Sequence, residues 1–410
     1  MKKNHLEFNN TEIAFSYKSN YELRRAYYLF KLLSLGFISK VGRKLLKILI
    51  NINFPLDLLI LKTIYAQFCG GRDIYECEDV IDNLKKNKVY SILDYSIEGS
   101  ITENDFENSL NKCLNILSEC KSKNLSKFIV FKPSAVGRFS LYKKVSSKLD
   151  LSAEEKNEWN RVENRFNKIC LEASKTNIMV LVDAEESWIQ NAIDELVYKM
   201  MKTYNKNKAV VFNTLQAYRR DRFEYLTKIH HNSSGKFKIG VKLVRGAYME
   251  KERKRAIRYN YMSPICDDKT HTDKIFNNSL EYIIKNIDDF GLFIGSHNEK
   301  SNLLSTELLK KYKIKTDDDR IWFSQLYGMS DNISFSLANN GYNVAKYLPF
   351  GPVKEVMPYL MRRLDENSSI SFQTNRELKL IEKEIYVLFL GIIFCLYNKC
   401  LPSMSPEYTT

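Results

Sequence analysis

The chain has 410 residues and a mass of 48.1 kDa, room for one domain of barrel size or two medium ones. With 44% apolar and 27% charged residues it cannot be a disordered, collagen-like or polytopic membrane chain, and the scarcity of Gly (15) and Pro (8) argues against a turn-rich all-β protein. The formal net charge of +14 favours anionic partners (nucleic acid, an acidic membrane surface or anionic small molecules) without choosing among them.

The N-terminal residues carry Glu7 and Glu12 and lack an early apolar core, so neither a secretory signal nor a mitochondrial transit peptide is expected. Residues 1–85 read as a helical arm. Ser19 and Glu22 have capping-box spacing, and Leu23, Tyr27, Phe30 and Leu33 follow at helical intervals. Leu45–Leu61 is apolar, but Lys47, Pro55 and Asp57 speak against a spanning helix.

From Val89 the pattern changes. Eight short apolar runs follow: Val89–Asp94, Phe128–Lys132, Ile178–Asp183, Ala209–Gln216, Ile239–Val244, Leu292–Ser296, Ile321–Leu326 and Val344–Leu348. They are continuous rather than alternating, as in parallel strands covered on both faces. Helices are expected between them; Thr102 with Asp105 and Ser152 with Glu155 mark two starts. Eight strand–helix repeats predict an α/β fold, a (β/α)8 TIM-type barrel over residues 86–378 behind the helical arm. A doubly wound open sheet is the main competitor, but no GxGxxG supports a dinucleotide-binding version. Residues 379–410 form a tail in which Ile385–Tyr397 is an uncharged apolar run of 13 residues, short for a span and suited to an interface or a packed helix.

In a barrel, chemistry sits at the C-terminal strand ends. Those ends carry Lys132; Asp183, Ala184, Glu185 and Glu186; Gln216, Ala217 and Tyr218; Lys242, Arg245, Gly246, Ala247 and Tyr248; Ser296, His297 and Asn298; Gln325, Leu326 and Tyr327; and Tyr347. This mixture lacks a Ser-His-Asp order, a pair of carboxylates suited to glycoside cleavage, or a metal-binding set. It suits a pocket for an anionic, hydrogen-bonding organic ligand. After Gly351-Pro352, a helix over Val353–Glu366 aligns Tyr359, Arg362, Arg363 and Glu366 on one broad face, with Pro358 expected to kink it or delay its start. Paired arginines can grip a carboxylate through forked hydrogen bonds. The eight cysteines include no CxxC pair and there is no HExxH, so reduced thiols and no metal are expected.

Seven stretches together resemble the proline dehydrogenases. They begin at Val182-Asp-Ala-Glu-Glu-Ser-Trp188, Asn213-Thr-Leu-Gln-Ala-Tyr218 and Lys242-Leu-Val-Arg-Gly-Ala-Tyr-Met249. Ser296-His-Asn298, Gln325-Leu-Tyr-Gly-Met-Ser-Asp331, Tyr347-Leu-Pro-Phe-Gly-Pro-Val353 and Tyr359-Leu-Met-Arg-Arg-Leu-Asp-Glu-Asn367 complete them. The resemblance covers residues 85–378 and implies a monofunctional, non-covalent FAD enzyme. It implies that L-proline loses a hydride from ring C5 to the flavin, giving 1-pyrroline-5-carboxylate, and that a membrane quinone then takes the electrons. A peripheral, cytoplasmic location at the inner face of the membrane follows, with the anionic membrane surface, and not nucleic acid, as the partner of the positive charge.

By the same resemblance, Arg362, Arg363 and Lys132 hold the proline carboxylate, and Asp183 pairs with Lys132. Tyr248, Leu326, Tyr347 and Tyr359 wall the ring, and Glu366 pairs with the arginine helix. Gln216 and Lys242 lie near the isoalloxazine, Lys242 standing where many bacterial members carry arginine; Asp183 and Lys242 are the catalytic candidates. Ala184, Arg245, Gly246, Ala247, Ser296, His297, Asn298 and Gln325 complete the expected cofactor set. Two alternatives remain at this stage: 4-hydroxyproline or another cyclic amino acid as substrate, with Tyr347 as the discriminating wall, and a basic binding module without catalysis.

Overall fold

The computed structural model describes residues 6–34, 57–95, 101–369 and 371–400, the side chains of 57–58, 364–369, 371–374 and 391–400 excepted. Eight parallel strands close into a barrel in sequence order: β1 Val89–Tyr95, β2 Phe128–Phe131, β3 Met179–Val182, β4 Val211–Gln216, β5 Ile239–Val244, β6 Phe290–Gly295, β7 Ile321–Leu326 and β8 Val344–Phe350. β8 closes on β1 over seven residue pairs, from Val89 with Val344 to Tyr95 with Phe350. Every expected strand is present. β2 and β3 stop one residue early, which puts Lys132 and Asp183 just past the strand ends. β8 runs through Pro349, whose carbonyl accepts the Gly70 N–H at 2.8 Å.

Alternation along each strand sorts the side chains. Ile92, Phe128, Leu181, Phe212, Phe293 and Trp322 point inward and fill the barrel; Phe128 meets Trp322 edge-on with ring centroids 4.6 Å apart, and Phe293 stacks on Trp322 at 6.2 Å. Their neighbours Leu93, Ile129, Val180, Val211, Leu292 and Phe323 point outward against the helices. Burying each such side chain contributes about 1.5–3 kcal/mol. Two helices carry the expected capping boxes: Thr102 with Asp105 opens Glu103–Ser122, and Ser152 with Glu155 opens Ala153–Thr176. A third reciprocal pair, Ser19 with Glu22, stands at the start of Asn20–Ser34.

The N-terminal helices pack on the helices that follow β8, sharing a core that includes Phe30, Phe68, Val356, Leu360 and Ile381. They also brace the mouth. The Tyr65 hydroxyl donates to Gly351 O at 2.8 Å, and the Gln67 amide to Gly328 O at 2.8 Å. Gly328 has φ +76° and a Cβ there would meet Gln67 O at 1.9 Å, so this close approach requires glycine. The helix Val353–Ser369 starts at Val353 and continues through Pro358, which lies on its exposed side. Ile385–Tyr397 falls within a single helix, Ser371–Cys400. Tyr386 to Leu390 are exposed on it, and the side chains of 391–397 lie outside the described residues. Among the described residues no helix is long and apolar enough to cross a membrane. The six described cysteines are buried free thiols.

Candidate active site

The same alternation that fills the barrel with aromatics sends a polar layer inward at its mouth. On β4, Phe212 and Gln216 share a face, and on β8, Ala345 and Tyr347 do. Lys242 lies two residues beyond Gly240 on β5, and Asp183 two beyond Leu181 at the end of β3.

These positions meet. The Lys242 ammonium holds one oxygen of the Asp183 carboxylate, and the Tyr347 hydroxyl donates to the other at 2.9 Å. Lys242 also lies 5.3 Å from the centre of the Tyr347 ring. The Lys242 and Asp183 side chains are 9% and 16% exposed, so the pair is only lightly screened by water. Burial, and then the charge of Asp183, push the Tyr347 hydroxyl well above its ordinary range, keeping it a hydrogen-bond donor. Lys132 is buried past β2, and its charge reaches Glu185.

Of two further acids at this mouth, Asp94 escaped the sequence reading, and Glu185, read at the end of the third strand, was given no role there. Asp94, 2% exposed, ends the inward face of β1, and its charge reaches Tyr347. Glu185 takes the Ser134 N–H at 2.9 Å and the Ser134 hydroxyl at 2.7 Å. Burial, with Glu186 adding to it, pushes Glu185 up to about 7. The parity of β1 was the available signal for Asp94.

The residues expected near a cofactor divide into two groups. Gln216 is buried, its amide nitrogen 3.3 Å from Glu185 O, while its Oε1 is buried with no hydrogen-bond partner. Such an orphan acceptor fits a missing donor from a bound group. Gly246 has φ +126°, and a Cβ there would lie 2.5 Å from the Tyr218 ring. Gly246 and Ala247 present exposed backbone at the mouth, as a segment lying along a bound molecule must. The chemistry of these donors fits a flavin nucleotide. Ala184 is buried beside Asp183.

The second group is tied into the scaffold. Arg245 gives hydrogen bonds to Asp273 at 2.8 Å, Ser296 at 3.0 Å and Ser301 at 2.9 Å. Asn298 caps the helix Glu299–Lys311, accepting the Ser301 N–H at 3.0 Å. Gln325 points to the helix side of β7, with its amide on Ser296 O at 3.0 Å and its oxygen taking the Ser334 hydroxyl at 2.8 Å. It therefore braces the mouth from the helix side. His297 Nδ1 lies 2.8 Å from Ser330 Oγ, and Nε2 is 3.5 Å from the Leu326 N–H. Burial, then Lys346 and Arg363, hold His297 down to about 3, so the ring is neutral.

The helix after β8 brings its arginines to this mouth. Tyr359 and Arg363 are each 5% exposed, with the guanidinium 4.9 Å from the ring centre. Arg362 is half-buried, as are Tyr248 and Leu326. The Glu366 side chain lies outside the described residues.

Behind the mouth runs a buried ionic network that sequence reasoning missed. Lys346, fully buried, pairs with Asp331 at 2.8 Å and donates to Met329 O at 2.5 Å. Asp331 also accepts the Tyr17 hydroxyl at 2.7 Å and faces Lys18 at 3.3 Å. Burial alone would raise Asp331; Lys346 and Lys18 bring it to about 2. Glu377, from the C-terminal helix, accepts the Ser330 N–H, and burial followed by Asp331 pushes it up to about 7. The signal was a lysine inside an apolar strand run. Among the described residues no cluster of His, Cys, Asp or Glu has the grouping of a metal site.

A family profile described as proline dehydrogenase matches residues 77–376. The carbapenem antibiotics biosynthesis protein CarD of Pectobacterium carotovorum is 33% identical over 327 residues, covering 79% of this chain and 84% of that protein. Proline dehydrogenase 1, mitochondrial, of Dictyostelium discoideum is 33% identical over 430 residues, covering 93% of this chain and 75% of that one. The crystal structure of proline utilization A from Bdellovibrio bacteriovorus, inactivated by N-propargylglycine, aligns with a TM-score of 0.68 at 20% identity. That alignment covers 91% of this chain and 38% of the larger protein, and it supports the barrel fold.

Proposed function

The chain belongs to the proline dehydrogenase family, and on that footing we propose that it oxidises L-proline to 1-pyrroline-5-carboxylate with non-covalent FAD, a membrane quinone taking the electrons. The observation that carries this reading is the Asp183 carboxylate held between Lys242 and Tyr347 inside the mouth.

In this reading Arg362, Arg363 and Lys132 bind the proline carboxylate. Paired guanidinium donors supply direction as well as charge. Tyr347, Tyr359, Tyr248 and Leu326 wall the ring and exclude water, and Glu366 pairs with the arginine helix. Asp183 orients both Lys242 and the Tyr347 phenol, so one carboxylate positions a cation and a wall. Gln216, Lys242, Ala184 and the Arg245–Ala247 segment would hold the flavin, with Ser296, His297, Asn298 and Gln325 supporting that half of the mouth. The flavin, when bound, supplies the hydride acceptor. The ring C5–H bond breaks with its electron pair leaving carbon, and the nitrogen lone pair forms C=N, so the amine must be neutral. Lys132, Lys242 and the arginines favour that form by opposing a second cation. Anchoring the carboxylate would hold the proline ring in one orientation for the transfer.

The bulk of Tyr347 favours unsubstituted proline over 4-hydroxyproline. The +14 charge suits peripheral attachment to an anionic membrane at the inner face of the cytoplasmic membrane, where a quinone is within reach. The test is cofactor release from the purified chain, with product analysis after turnover on L-proline with a soluble acceptor. FAD and pyrroline-5-carboxylate support the reading; FMN, or no turnover after loading with FAD, overturns it.

A further inference from the structure

Residues 249–262 project from the barrel mouth just after the exposed Gly246-Ala247 backbone. The helix Met249–Arg258 packs inward through Glu252 and Ala256, 0% and 4% exposed. Glu252 takes the Ser187 N–H at 2.6 Å and the Ser187 hydroxyl at 2.7 Å. The helix closes at Asn260, φ +49°, with the Tyr261 N–H returning to Ala256 O at 3.1 Å. The chain then comes back through an antiparallel bridge between Ile265 and Arg219 and through the Cys266 N–H on Tyr218 O at 2.7 Å. The projection is therefore a built element.

Its tip nevertheless faces water with apolar side chains. Ile257 is 81% exposed, Met262 80% and Tyr259 56%. Single exposed apolar residues are ordinary, but three within six residues on an ordered turn are not. Cations stand directly behind them. Arg255 lies 4.4 Å from the Trp188 ring centre and 4.6 Å from that of Tyr259, and Arg258 lies 5.5 Å from the latter. Lys254 is exposed, with Glu250 at 3.8 Å. The other acid of the helix, Glu252, is turned inward.

We propose that the tip Ile257–Met262 is the surface by which this protein docks on an anionic lipid bilayer. The assignment rests on the reading above, in which electrons leave for an acceptor in the membrane. An apolar tip enters the acyl boundary, tyrosines sit at the headgroups, and a cationic collar meets anionic phosphates. The position brings the segment that would lie along the cofactor to the bilayer surface. A second exposed apolar stretch, Tyr386–Leu390, lies in an uncharged run and serves as the comparison.

The test is flotation of the full chain, loaded with FAD, on vesicles of phosphatidylglycerol with phosphatidylcholine and on phosphatidylcholine alone. The wild type is expected to float with the anionic vesicles and to be released by salt. Ile257→Ser/Met262→Ser is expected to lower partitioning at least about tenfold, while Tyr386→Ser/Phe389→Ser keeps most of it. Turnover of L-proline with a soluble dye stays unchanged in the tip variant. A tip variant that floats like wild type, or a wild type that does not float on anionic vesicles, overturns the assignment. If every form lacks proline turnover while flotation still follows the tip, the docking surface stands and the functional reading falls.

Discussion

Tyr347 donates its phenolic hydrogen to one oxygen of Asp183 at 2.9 Å, while the other oxygen holds the Lys242 ammonium. One carboxylate thus fixes a wall of the pocket and a cation at its floor. Asp183→Asn keeps the shape and removes the charge, leaving Lys242 uncompensated in a lightly hydrated site. Breaking such a pair costs about 3–5 kcal/mol of stability, and with the cation and the wall no longer held in place kcat/KM for L-proline is expected to fall by roughly 10² to 10³. Tyr347→Phe removes one hydrogen bond to a charged acceptor and keeps the ring, a loss of about 1.5–3 kcal/mol. Steady-state kinetics with a soluble acceptor rank the two; equal effects would contradict the central role of the carboxylate.

The arginine helix gives a second expectation. Arg362→Met or Arg363→Met removes a charge-assisted contact to the substrate carboxylate, costing about 2–4 kcal/mol, or roughly 30- to 1000-fold in kcat/KM. Flavin content should survive better than activity in Arg362→Met, because Arg362 is the more exposed of the two. Wild-type efficiency in both variants would remove the clamp from the account.

Much of this architecture was legible because parallel strands covered on both faces read as unbroken apolar runs. The eight runs and the capping pairs Thr102–Asp105 and Ser152–Glu155 needed only local chemistry. What stayed hidden was parity and distance. Gln325 sits beside Leu326 in sequence, yet alternation turns it to the helix side, where Ser334 and Ser296 occupy it. Asp94 reaches the mouth by the same alternation. Asp331 meets Tyr17 across 314 residues, and Glu377 reaches Ser330 from the C-terminal helix, pairings that no local pattern encodes.

Substrate selection should turn on Tyr347. Tyr347→Ala opens the ring wall and is expected to raise the efficiency for 4-hydroxyproline relative to L-proline, because steric exclusion discriminates only against the larger substrate. An unchanged ratio of the two efficiencies would place another residue at ring C4.

The C-terminal helix should make stability pH-dependent. Glu377 titrates at about 7 in the folded protein against an ordinary value of 4.5, so between these values the folded chain holds a proton that the unfolded chain has lost. The resulting stabilisation is complete below 4.5 and disappears as the pH rises through about 7. Glu377→Gln keeps an acceptor for the Ser330 N–H without the buried charge, and is expected to be more stable than wild type by about 1–3 kcal/mol near pH 8. The advantage should vanish in mild acid. His297 acts with the opposite sign: held at about 3 against 6.5, it costs stability as the pH falls below 6.5. Thermal melts across pH check both; a Glu377→Gln variant that melts below wild type at high pH would contradict the buried-charge assignment.

The turn after β5 should be needed for cofactor retention. Gly246→Ala places a methyl 2.5 Å from the Tyr218 ring at a φ of +126° that alanine rarely adopts. The variant is expected to purify folded but with reduced flavin content, read from the ratio of visible to ultraviolet absorbance. Full retention would detach this segment from the cofactor.

The most direct test of the central claim is anaerobic mixing of the FAD-loaded protein with L-proline, following the visible flavin band. The account predicts that the band bleaches with L-proline, that pyrroline-5-carboxylate forms in equal amount, and that Asp183→Asn slows the bleaching while still binding flavin. A band that persists in the presence of L-proline would contradict it.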